Sequence, residues 1–337
     1  MADKKKDVGD PDRLVGLRAV AESRSPLGKQ RATRITGPVA LVAGGAIVLT
    51  MTIAWFVSTR SLVNQKDALL SQQRAVVKTL GSEWFPLREK IETITLEAAK
   101  GEFAGDHVAP EAATWDLRGA PGIYLRSRVA DAKDVETLRK QSRESVRDSF
   151  ATCLLRPNSG SIANLAKGAD AGAGEEDQPW NLRQAYASTR VLEDGWAREV
   201  KDATDELRVR AFEMQYEKAQ KDEIPLAINI VKRAQFFLLV LDEDVPEARE
   251  LAPDGGPVTG AELQQVAHPA RVHILDLKSG KEMVRLRRSA VGGLLSPGDR
   301  FVQDPDVRAA MKRQVNNCAL AQSVWAEIRP ATPTPTP

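Results

Sequence analysis

The stretch from Ile35 to Thr59, ITGPVALVAGGAIVLTMTIAWFVST, runs for 25 residues without a charge. At about 1.5 Å of rise per residue, a helix of that length covers a hydrocarbon core of roughly 30 Å. The run predicts a single N-terminal transmembrane helix, left uncleaved, with the rest of the chain as an ectodomain behind it. Before it lie Arg18, Arg24, Lys29, Arg31 and Arg34, whereas Arg60, Lys66 and Arg74 follow. A more basic leading flank places residues 1–34 in the cytoplasm and the C-terminal domain in the periplasm or outside the cell, as a single-pass protein of the inner or plasma membrane. A cleaved signal peptide is the competing reading, but Trp55 and Phe56 stand where a cleavage site requires small residues. No adjacent arginine pair precedes the run, so a twin-arginine export signal is not indicated.

Charge narrows the choice of partner. Residues 1–34 hold nine Lys/Arg and five Asp/Glu, leaving 39 and 41 of the chain's 48 and 46 for the remainder. A near-neutral domain lacks the concentrated positive charge that phosphate backbones require, so no nucleic-acid partner is expected. The leader is too polar to fold alone and is expected to be a disordered cytoplasmic tail. Ala40 and Gly44, four apart within the run, have the spacing that lets helices approach closely, a weak signal for a homodimer through span and stalk.

After the run, Val63, Leu70, Val77, Trp84 and Ile91 recur every seven residues, with Leu80, Leu87 and Ile94 at the intervening position. This is the spacing of a helical seam over 60–100, either a coiled-coil stalk between two protomers or a stripe packed on the chain's own domain. The bulk of Trp84 favours the second, and Gly81 with Pro86 predicts a kink or break near residues 82–85. Residues 101–121 read as a connection and 123–129 as a strand. A charged helix over 131–147 and a buried strand at Phe150–Leu155 follow, then a small, polar loop at 157–176. Leu192, Trp196, Val200, Ala203, Leu207, Ala211 and Met214 predict one striped helix over about 179–221. The run FFLLVL before Asp242 predicts a central strand. Arg271–Leu277 and Met283–Arg287, joined across Gly280, predict a hairpin. Asp304 and Pro305 predict the start of a last helix, and 330–337 an extended tail. The fold class is therefore α+β over 101–329, with a mostly antiparallel sheet covered by long helices.

Few residues offer chemistry. Cys153 and Cys318 fall on apolar faces, and in an oxidising compartment they are expected to form a disulfide. Asp242, Glu243 and Asp244, at the end of the central strand, are the best acidic cluster for a divalent cation or for acid–base work, with solvated charge as the plain alternative. Glu175, Glu176 and Asp177 rank lower. His268 and His273 are five apart and lack the helical spacing of a metal pair, and His107 is no better placed. Lys281, Arg285, Arg287 and Arg288 form a basic patch suited to an anionic surface. No phosphate loop, HExxH, CxxC, GxSxG or GxGxxG occurs, and Asn-x-Ser/Thr sequons are also missing, which mildly favours a bacterial envelope. No cofactor, no metal and no catalytic set is expected. The reading that follows is a membrane-anchored, non-enzymatic module that binds a protein partner or scaffolds an assembly in the envelope. The alternatives are a metal-assisted hydrolase built on residues 242–244, and a ligand-sensing ectodomain without its own output, which requires an apolar pocket beside the sheet.

Overall fold

The computed structural model describes residues 37–145, 148–155, 179–252, 256–289, 291–292 and 304–329. The two tails, the loop at 157–176, the acidic residues Glu175, Glu176 and Asp177, and the Ala40 and Gly44 side chains lie outside the described residues. The chain divides into two units, Met1–Ser61 and Leu62–Pro337.

In the first unit the described residues are helical and belong to α1 (Gly37–Val76). Here the expectation of a transmembrane helix at 35–59 is corrected. Thr59 does not end the helix, which continues without a break through Arg60, Asn64, Gln65, Lys66 and Asp67. Among the described residues no helix is long and apolar enough to cross a membrane.

The second unit carries, in chain order, a π-helical turn (Val77–Gly81), α2 (Ser82–Ala99), β1 (His107–Val108), β2 (Gly122–Arg128), α3 (Val135–Glu144), α4 (Phe150–Leu155) and β3 (Trp180–Asn181). Then come α5 (Leu182–Ser188), α6 (Asp194–Asp202), α7 (Glu206–Lys218), α8 (Ile224–Arg233), β4 (Phe236–Asp242), α9 (Gly260–Leu263), β5 (Pro269–Asp276), β6 (Glu282–Ser289) and α10 (Pro305–Ile328). The six strands form one sheet in the spatial order β1-β6-β5-β4-β2-β3. The sheet is mixed rather than mostly antiparallel, a second correction. β2 runs parallel to β3 and β4, while β4, β5, β6 and β1 pair antiparallel. The reason is connectivity: α3 to α8 lie between β2 and β4, and a crossover of that length lets two strands run the same way.

All seven residues of β4 are buried. With side chains alternating between faces, Phe237, Leu239 and Leu241 enter one core with Ile123 and Leu125 of β2. Residues of α2, α5, α6 and α8 close this first face. Phe236, Leu238 and Val240 enter the second core with Val272, Ile274, Val284 and Leu286, beneath α4 and α10. Gly122, paired with Phe236 across β2 and β4, leaves room for that ring, since a Cβ there would collide with it.

Local chemistry sets the helix starts. Asp134 caps α3 by accepting from the Thr137 N–H, Asn181 caps α5, Asp205 caps α7, and Asp304 with Pro305 opens α10. The single helix expected over 179–221 is broken instead. Ala203 is extended and Asp205 starts α7 in a new phase, so Trp196, Val200 and Ala203 are buried while Leu207 and Met214 are 80% and 66% exposed. Val209 and Tyr216 take the inward positions. Phe150–Leu155 is helical, not a strand, with Asp148 accepting from the Phe150 N–H; a short apolar run does not distinguish the two states.

The helical segment after Leu62 belongs to the second unit, and Leu69, Leu70, Trp84 and Ile91 lie in the first core, although Val63 is exposed. The break expected near residues 82–85 is not seen: α2 runs through them with Pro86 inside it, and the irregularity is the π-helical turn at Val77–Gly81 just upstream. Trp84→Ala should therefore cost about 3–5 kcal/mol of stability, seen as a lower midpoint in urea. An unchanged midpoint would mean that this helix does not contribute to the core.

Candidate functional site

The acidic triplet at the end of β4 does not converge. Consecutive strand residues point to opposite faces, and each carboxylate meets its own arginine. Asp242 accepts from Arg126 Nε (2.8 Å) and Nη2 (2.9 Å), while Arg126 Nη1 donates to Asn317 of α10 (2.6 Å). Asp148, which accepts from the Tyr124 hydroxyl (2.8 Å), stands 3.8 Å from the same guanidinium. His268 closes the group, with Nε2 3.1 Å from Asp242 and Nδ1 2.9 Å from the Val266 carbonyl oxygen. Glu243, on the other face, accepts from Arg271 (2.7 Å) and Arg287 (2.5 Å). Asp244 accepts twice from Arg128 at 2.9 Å.

Arg126, Asp242 and His268 are at most 5% exposed. Burial pushes the Asp148 carboxyl up, against the pull of Arg126 and the Tyr124 hydrogen bond. Burial acts the same way on Asp242, but the Arg126 charge and the His268 hydrogen bond outweigh it and hold that carboxyl below the ordinary range. This is a sealed, mutually satisfied polar cluster. Among the described residues no group of three or more His, Cys, Asp and Glu is placed to hold a metal ion.

The basic patch is likewise paired. Lys281 meets Glu111 (2.9 Å), Arg285 meets Glu282 (3.0 Å), Arg287 meets Glu243, and Arg288 lies between Asp106 (2.6 Å) and Glu327 (2.8 Å). Cys153 of α4 and Cys318 of α10 are joined as a disulfide, their Cα atoms 5.1 Å apart across 165 residues of sequence.

The open site lies elsewhere. Beyond β4, the first face of the sheet is no longer apolar: β5 and β6 turn Arg271, His273, Arg285 and Arg287 to that side. Between these strands, α2 and residues 100–104 opens a cleft of about 720 Å³. Ile94, Ala98, Phe103, Leu275 and Leu277 give it an apolar lining, and Lys90 Nζ donates to the Leu277 carbonyl (3.0 Å) at one side. His273, buried in the wall, has Nδ1 2.7 Å from Glu282 Oε1. Burial alone would raise the Glu282 carboxyl, but the His273 hydrogen bond and charge and the nearby Arg285 hold it below its ordinary range. No sequence motif announced the His273–Glu282 pair. The available signal was only that both residues belong to one hairpin.

An α+β domain with a mixed sheet and a cleft at the side of it is the class these features define. Comparison of the chain with family models, curated proteins and solved structures finds no match.

Asp242→Asn should cost about 3–5 kcal/mol, because it leaves Arg126 buried without its counter-charge. Asp242 is more acidic folded than unfolded, so its contribution is present above about pH 4 and is lost as pH falls below that value. The variant should therefore show a shallower acid limb in a plot of unfolding free energy against pH; an identical limb would assign the acid sensitivity to other carboxylates. Reduction, or Cys153→Ser, should alter non-reducing gel mobility and remove a few kcal/mol, up to about 5. Two titratable thiols in the untreated protein would exclude the bond.

Proposed function

We propose that this chain is a non-enzymatic binding module of an oxidising compartment, and that the cleft between α2 and the β5–β6 hairpin is its binding surface. The observation that carries the reading is the cleft itself: concave, largely apolar, and of a size that suits a small molecule or a short peptide segment. The disulfide supports the compartment, since such bonds persist where thiols are not kept reduced. A hydrolase at residues 242–244 gains no support, because each of the three carboxylates is occupied by an arginine. A second reading is attachment to a protein partner through the outer face of α7. Exposed Leu207 and Met214, seven apart on that helix, favour it.

The test is a fragment titration of the full chain followed by NMR. Fragments should perturb Ile94, Leu275 and Leu277, and Ala98→Trp, which fills the cleft, should weaken them at least 10-fold while leaving the melting temperature within a few degrees. Perturbations confined to other surfaces, or unchanged affinity in the tryptophan variant, would overturn the assignment.

A further inference from the structure

The charges that line the cleft divide into those already answered and those left open. Arg271 is held by Glu243 and the Gly101 carbonyl, and Arg285 by Glu282 and the Gly105 carbonyl. Each guanidinium thus has its carboxylate. Glu89, Glu97, Glu102 and Lys100 are exposed, line the same cleft, and have no side-chain partner among the described residues. Three carboxylates are therefore open against one ammonium group. The two remaining charges do not alter the sign. Lys90 donates to the Leu277 carbonyl, and Asp276 accepts from the Lys278 N–H and the Ser279 hydroxyl in its own turn, so one more charge of each kind is added.

Helix α2 contributes a field of the same sign. Its C-terminal end reaches the cleft through Glu97 and Ala98, and the aligned peptide dipoles of a helix place about half a negative elementary charge at that end. The last turn of α2 contains no basic residue, and Glu97 sits within it. A carboxylate there is unfavourable for the helix, and a cation beside it relieves both. The rest of the lining, Ile94, Ala98, Leu275 and Leu277, is apolar.

We propose that the cleft takes a small organic cation, an apolar body bearing one ammonium or guanidinium group, with the charge beside Glu97 and Glu102 and the body over Ile94, Leu275 and Leu277. The inference rests on the cleft being the binding surface. An anion meets an excess of carboxylates and the negative end of a helix, and an uncharged ligand leaves that field unanswered. A cation on an apolar body answers both parts of the lining.

Three probes built on one ring system test it on the full chain: 2-(aminomethyl)naphthalene, a cation at neutral pH, 2-(hydroxymethyl)naphthalene, which is uncharged, and 2-naphthoate, an anion. Calorimetry and NMR at low salt should rank the amine first, roughly 3- to 5-fold tighter than the alcohol, the size of an exposed charge pair, and the naphthoate last. Salt at about 0.5 M, which screens exposed charges beyond about 4 Å, should remove most of that preference. Glu97→Gln combined with Glu102→Gln should do the same at low salt, and Lys100→Gln should enlarge the preference, with melting temperatures confirming that the variants fold. Equal affinity for amine and alcohol, tightest binding of the naphthoate, or a preference untouched by the double substitution would overturn the inference while leaving the cleft as a binding surface. Absence of any perturbation at Ile94, Leu275 and Leu277 from all three probes would overturn the underlying assignment instead.

Discussion

A strand with no polar side governs this fold. Phe236 to Leu241 present six consecutive apolar side chains, so β4 has no face it can leave to water, and both faces of the sheet must be covered where it runs. The crossover helices between β2 and β4 supply one cover; α4 and α10, tied by Cys153–Cys318, supply the other. The hairpin next to β4 obeys a different rule. β5 and β6 alternate, giving Val272, Ile274, Val284 and Leu286 to the second core and charged residues to the first face. A layer of apolar helices has nothing to pack on there. The cleft follows from that boundary between a strand buried on both sides and a hairpin buried on one.

Each layer also contains a charge network that ties its elements together. Under the helices of the first face, Glu92 of α2 accepts two 2.7 Å hydrogen bonds from Arg139 of α3, while Arg88 and Arg143 both reach Glu193 ahead of α6. At the end of the parallel strands, Arg126 ties β2 to Asp242 of β4 and to Asn317 of α10. Buried ion pairs add little net stability, because desolvation offsets their attraction; what they impose is a large penalty on arrangements that break them. Arg126 thereby fixes α10 to one position over the sheet. The same saturation explains why a cluster with the composition of an acid–base site, Asp, His, Tyr and Arg, is closed to a substrate.

The elements legible in the sequence were those whose pattern has a single interpretation. Period-two alternation located β5 and β6, the FFLLVL run located β4, and Asp304-Pro305 marked the start of α10. The apolar run at 35–59 was legible as composition, but its boundary was not, because the polar residues after Thr59 are compatible with helix and extend it. Parallel pairing of β2 with β4 is non-local and leaves no mark in either strand. The stripe through Leu207 and Met214 failed because Ala203 and Asp205 reset the helical phase, and the capping aspartate was the one clue to that. For the site, the sequence singled out Asp242 and the two histidines but not their partners, since arginines drawn from β2, β5 and β6 become neighbours only once the sheet has formed.

His273 and Glu282 show why the cleft was invisible at that level. With regular pairing across the hairpin, Leu275 would oppose Met283, and Glu282 would point to the second core. The register instead steps from Ile274 opposite Val284 to Leu275 opposite Glu282, passing over Met283. That bulge sends Met283 into the second core and turns Glu282 to the face occupied by His273. One extra residue in β6 thus places Glu282 Oε1 2.7 Å from His273 Nδ1, on the face that lines the cleft. Bulges re-aim single side chains at a small cost in ladder hydrogen bonds, and here the re-aimed side chain, Glu282, joins the wall of the cleft.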